Sequence, residues 1–218
     1  MEKKKITEGM TKKEKIAWFW YYYKWYVVLV AGLVIFAIWG GVSVHREYTK
    51  EYIANIQLVN CESYTVDRSD YFDRFLEEYG YDDDTLISMD STVEVNLDGG
   101  GQSSSSGLQV LAAMFLTGEI DIFVSDEALF EMECEKHGFE NLNNVLTEEQ
   151  MTEYGQYLYY AKDPDTGEMT PYGLYLKDSS ICGSEGFYHA EDQPIVGVAS
   201  QAQATEEDTA NLLEYFMR

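Results

Sequence analysis

The sequence predicts an α/β domain, built on a mostly parallel sheet, behind one N-terminal membrane helix. Three observations predict it. From Tyr26 to Val44 the chain is apolar and uncharged; at ~1.5 Å per residue this stretch spans ~28 Å, close to the hydrocarbon core of a bilayer. From residue 52 onward, strand-like and helix-like segments alternate, the order expected of parallel strands joined by right-handed crossovers. The run Ile120 to Val124 (IDIFV) is almost continuously apolar, as a strand buried on both faces should be.

A chain of 218 residues accommodates one domain and an anchor. The expected division is a basic, aromatic tail over 1–25, the membrane helix over 26–44, a linker over 45–51 and the domain over 52–218. Seven Lys precede the helix against three Glu, a net +4, which leaves −28 for the rest of the chain. Positive charge close to a membrane helix is retained on the cytoplasmic side. The expectation is a single-pass protein of the cell membrane, N-terminus cytoplasmic and domain extracytoplasmic, with the lipid bilayer as its partner through 26–44. The run AWFWYYYKWY, Ala17 to Tyr26, then falls at the inner interface, where amphipathic rings concentrate. A cleaved signal peptide would have a shorter apolar region and small residues at the cut, and Cys61 lies too far from the apolar run for a lipoprotein.

The acidity of the domain argues against nucleic acid and anionic lipid headgroups as partners, because affinity for both rests on Lys and Arg. Cys61, Cys134 and Cys182 are scattered and odd in number, which suits neither a disulfide framework nor a zinc ribbon.

In order, YIANIQLVN from Tyr52 to Asn60 reads as the first strand. Asp67 is positioned to cap a helix carrying Phe72, Phe75, Leu76 and Tyr79 at helical spacing, with Gly80 as its stop. Leu86 to Leu97, with its alternating STVEVNL, reads as the second strand. Asp98 to Gly107 (DGGGQSSSSG) reads as a flexible loop, and Leu108 to Thr117 as an apolar helix stopped by Gly118. After IDIFV, Ser125 and Asp126 can cap a helix over 127–136 that Gly138 ends. Thr147-Glu148-Glu149-Gln150 is a capping box. Residues 157–162 and 169–176 are β runs joined by Asp163-Pro164-Asp165-Thr166-Gly167-Glu168, a turn sequence that makes them a hairpin. Residues 194–200 (PIVGVAS) read as a last buried strand, and Thr205 caps a final helix with Leu212, Leu213, Phe216 and Met217 on one face.

Two segments carry a resemblance. GLQVLAAMFLTGEIDIFVSDEALFE, Gly107 to Glu131, resembles the part of type II periplasmic (solute-)binding proteins in which a helix, a GE(I/L)D turn and a buried strand lead into a crossover. PIVGVAS, with the helix ATEEDTANLLEYF from Ala204 to Phe216, is similar to the return of such chains into their first lobe. Lys12 to Tyr26 also looks like the lead-in of many single-pass proteins of Gram-positive gut bacteria. The resemblance implies a small binding-protein-like domain with a reduced second lobe over about 127–190. It implies a non-catalytic module that binds a small or cationic ligand or a membrane transporter component. Its alternative is an envelope interaction protein that kept the fold without a ligand.

Ligands of open α/β sheets bind beyond the carboxyl ends of the strands. That nominates Asn60, Cys61 and Glu62 after the first strand, and Ser125 and Asp126 after the third. Tyr172 and the stretch Asp178, Ser179, Ser180 would face them from the second lobe. Each residue also has a sufficient structural role, as a helix cap, a core ring or a turn residue. Gly107 is followed by Leu108 where a P-loop needs Lys. Asp163 and Asp165 lack the spacing and the distal Glu of a calcium loop, and Cys134 with His137 begins a metal site that finds no second pair in sequence. No GxSxG or HExxH is present. The expectation is no catalytic residue, no metal and no cofactor.

Overall fold

The computed structural model describes residues 11–48, 51–61, 70–82, 84–97, 102–182, 186–189 and 193–218. The chain divides into two units, Met1–Lys50 and Glu51–Arg218. Among the described residues the first contains one helix, α1 (Lys12–Tyr48), which includes the whole predicted anchor and extends beyond both its ends. It is long and apolar enough to cross a membrane. The aromatic run belongs to the same helix, so that Trp18 and Tyr22, one turn apart, bring their rings to 5.1 Å.

The second unit begins with β1 (Glu51–Val59), α2 (Asp70–Tyr79), β2 (Thr85–Val93), α3 (Gln102–Thr117) and β3 (Ile122–Ser125). Three helices follow, α4 (Glu127–Cys134), α5 (Leu142–Val145) and α6 (Glu148–Glu153). The hairpin β4 (Leu158–Lys162) and β5 (Met169–Tyr175) leads to β6 (Ile195–Val198) and α7 (Glu206–Phe216). One sheet holds all six strands in the order β2-β1-β3-β6-β5-β4.

The sheet is not the mostly parallel one that the sequence predicts: three of its five strand pairings are antiparallel. β1 pairs in parallel with β2 and β3, whereas β3 with β6, β6 with β5 and β5 with β4 are antiparallel. β1, β2 and β3 follow one another through α2 and α3, the helical crossovers that parallel neighbours require, and the tight hairpin makes β4 and β5 antiparallel. The second lobe is corrected as well. The hairpin extends the same sheet because β5 pairs with β6, and residues 171–174 of β5 are all buried.

The sheet lies between two helical layers. Ala54, Ile56 and Leu58 of β1 meet Phe72 and Phe75 of α2 and Leu212, Leu213 and Phe216 of α7 on one face. Phe123 of β3 meets Leu111 and Phe115 of α3 and Leu129 and Phe130 of α4 on the other. Each fully buried Leu or Phe contributes about 1.5–3 kcal/mol, and β3, apolar on both faces, is one of the strands that both layers share.

Several local expectations meet their physics directly. Gly80 stops α2 in the left-handed region, at φ 75. Thr147 and Gln150 form the reciprocal capping box of α6, and the Thr205 side chain caps α7. The cap expected at Asp67 lies outside the described residues. The Gly/Ser stretch, read as a loop, is helical from Gln102 onward. Gly107 is the reason the helix can sit there: a Cβ at this position would approach Glu94 O to 2.7 Å. At the end of α4 the left-handed residue is His137, at φ 60, one place before the expected Gly138.

Candidate functional site

The helices after β1 and β3 leave for opposite faces, so a crevice is expected between the carboxyl ends of these two strands. The structure brings some of the nominated residues together there. Asn60, held at φ 58, donates through Nδ2 to Val95 O at 2.8 Å and to Asp126 Oδ2 at 2.8 Å. Its Oδ1 accepts from Val95 N at 2.7 Å. Asp126 is the N-cap of α4, its Oδ1 accepting from Leu129 N at 3.0 Å. Ser125 is buried and donates to Asp126 O, and Cys61 is buried with its thiol toward Ser91 O. These groups serve one another and the backbone around them.

The crevice itself is closed by Tyr188, a residue the sequence reading did not single out. Its hydroxyl lies 2.8 Å from Val59 O and 3.1 Å from Val124 O, donating across the ends of β1 and β3. Only 4% of the residue is exposed, and burial pushes the hydroxyl well above its ordinary pKa, so it stays a neutral donor. Nothing in SEGFYHAE distinguishes this Tyr from a surface ring in a polar segment.

The remaining nominated residues are engaged elsewhere. Tyr172 donates to Asp163 Oδ2 at 2.6 Å, inside the hairpin. Asp178 accepts from Tyr157, and buried Ser179 donates to Phe216 O while accepting from Ile181 N. Glu62 lies outside the described residues. Tyr172 and the backbone N–H groups of Thr166 and Asp165 hold the Asp163 carboxyl down to about 2. A carboxyl depressed below its unfolded value of ~3.9 contributes stability above that value and loses it as pH falls through the folded pKa. Urea midpoints at pH 6 and pH 3 check this: the gap between the natural protein and Asp163→Asn narrows at pH 3.

Burial, with Glu131 and Glu133 nearby, pushes the Cys134 thiol up to about 12, so it is not a nucleophile at neutral pH. Among the described residues no three His, Cys, Asp or Glu converge as a metal site.

A second place has the features of a site. In register, Asn55 of β1 faces Ser88 of β2, and Gln57 faces Asp90. Strand alternation puts these four polar side chains on one face as a two-by-two array, opposite the face that carries Ala54, Ile56 and Leu58. They floor a groove of about 440 Å³. Its rim is the end of α3, with Met114, Gly118 and Glu119, together with Gln203. Gln57 is 1% exposed. Its Nε2 donates to Leu58 O and Asp90 O, but its Oε1 has no partner among the described residues. A buried amide oxygen left unpaired costs about 1–3 kcal/mol, so it is the acceptor in this lining that an incoming donor would satisfy.

At the groove's end Gly118, at φ 68, closes α3 as a Schellman cap, with Glu119 N donating to Met114 O at 3.0 Å. Beside it the buried carboxylate of Asp121 accepts from Asn55 N at 2.7 Å, Gln203 N at 2.5 Å and Ala204 N at 2.8 Å. The GEID turn thereby ties β1 and the approach to α7 to the start of β3. The signal for the array was present in the sequence as alternation: Asn55 and Gln57 interrupt an otherwise apolar strand at every second place, and Ser88 and Asp90 do so in the next. No known protein family, curated protein or solved structure matches the chain.

Proposed function

We propose that this chain is a membrane-tethered, extracytoplasmic, non-catalytic binding module of the solute-binding kind, with its ligand site in the groove between β1, β2 and the end of α3. The observation that carries this reading is the unpaired Gln57 Oε1, buried in a polar array whose residues line the groove. The array replaces apolar contacts that the strand pair would otherwise make under a helix. The Lys-rich segment before α1 supports an N-terminus in the cytoplasm and a domain outside. The relation to solute-binding proteins is supported by β6, which returns antiparallel beside β3 after the long excursion through α4 to β5. The single sheet, without a second lobe, departs from that resemblance.

Thermal melting of the full chain in detergent micelles, against amino acids, peptides, sugars and polyamines, tests the reading. One ligand class raises the melting temperature by several degrees. No shift with any class contradicts it.

Tyr188 favours a second reading, an envelope protein that binds a partner protein such as a transporter component and has no small ligand. A crevice closed by the chain's own buried ring offers no room at the strand ends. This reading expects one envelope protein to co-purify from detergent extracts and the ligand screen to stay flat.

A further inference from the structure

We infer that the β1–β2 groove takes a small organic cation, an aliphatic primary ammonium, with Asp90 and Glu119 supplying the charge and Gln57 a buried acceptor. This rests on the binding-module reading and assigns the chemistry of its ligand.

Three independent features select a cation. First, the lining contains two carboxylates, Asp90 and Glu119, and no Lys, Arg or His. The Asp90 Oδ1 is occupied by Thr92, through its backbone N–H at 2.8 Å and its hydroxyl at 2.7 Å. These bonds orient the carboxyl group and leave its second oxygen for a donor. Second, the group that lacks a partner is an acceptor, Gln57 Oε1; an ammonium, with three donors and no acceptor, complements it. An anion would add acceptors to acceptors. Third, α3 ends at the groove. Its C-terminal turn carries the negative end of a 16-residue helix, and no basic residue of that turn neutralises it. These fields add in the same direction within a domain of strongly negative net charge, which also raises the local concentration of cations.

Size and shape narrow the class further. The volume of about 440 Å³ lies toward the small end of ligand pockets. The apolar contribution from Met114 suits a short methylene chain, whereas a quaternary ammonium would need the aromatic cage that this lining lacks. Glu119 is exposed and Asp90 half-buried, so one end of the ligand enters the groove and the other stays near solvent.

The test is isothermal titration of the full chain in detergent micelles with three four-carbon probes: putrescine, 1,4-butanediol and succinate. Putrescine is expected to bind at least tenfold more tightly than butanediol, and succinate to give no heat. Asp90→Asn keeps the acceptor for Thr92 and removes the charge, so it should weaken putrescine at least tenfold. Gln57→Met keeps the side-chain volume and removes the acceptor; several-fold weakening is expected. Asp165→Asn, on the hairpin turn, should bind as the natural protein does, and high salt should weaken binding.

Butanediol binding as well as putrescine, or Asp90→Asn leaving putrescine unchanged, overturns the cation assignment while a ligand found by the wider screen keeps the module reading. No heat from any probe overturns the assignment too, and a flat wider screen then removes the module reading with it.

Discussion

Replacing Asp121 by Asn lowers the stability of the domain by about 3–5 kcal/mol, a large part of the roughly 5–15 kcal/mol a domain possesses. The carboxylate is 1% exposed, and both oxygens are used. Oδ1 accepts from the backbone N–H groups of Gln203 and Ala204, and Oδ2 from the backbone and side-chain nitrogens of Asn55. Asparagine has one oxygen, so its amide nitrogen must point at donors on one side or the other. Two N–H groups then face a third donor and lose their acceptor. For a domain of this size the loss corresponds to a fall of about 10 °C in melting temperature. All four Trp precede residue 40, so tyrosine circular dichroism or calorimetry must report it. A shift below about 2 °C would mean that the Asp121 network does not hold β1, β3 and the approach to α7 together.

Tyr188→Phe is expected to cost about 1–3 kcal/mol and Tyr188→Ala about 3–5 kcal/mol. The first change keeps the ring and removes only the donor shared by Val59 O and Val124 O. The second also leaves a cavity between the ends of β1 and β3. The difference between the two variants separates the polar bridge from the packing of the ring. Equal stability of the natural protein and Tyr188→Phe would show that the hydroxyl is not part of what closes the crevice.

Features satisfied within one turn or one strand are legible in this sequence, and those that depend on distant chain are not. β3 and β6 were legible because continuous burial leaves an apolar run. The capping box at Thr147 and the caps at Asp126 and Thr205 were legible because they are satisfied within one turn. The hairpin was legible from its turn residues, but the neighbour of β5 was not. That β5 joins β6, and so extends one sheet instead of forming a second lobe, depends on contacts across some twenty residues of chain. The helical start of α3 was hidden because serines signal loops. Its permission comes from Gly107 against Glu94, a tertiary contact.

The candidate site divides in the same way. Asn60, Ser125 and Asp126 were correctly placed at the strand ends, and the structure gives them to capping and loop closure. Tyr188, which occupies the crevice, comes from a segment with no periodic signal. The polar array of Asn55, Gln57, Ser88 and Asp90 was visible as alternation. Its meaning needed the register of β1 with β2 and the end of α3 above it.

The central claim is the location of the ligand site, and hydrogen exchange of the full chain with and without putrescine tests it most directly. Binding in the groove slows exchange of backbone amides in 55–57, 88–90 and 114–119, with the strand ends unchanged. Protection confined to 60–61 and 125–129 would place the ligand at the crevice beside Tyr188 and contradict the account.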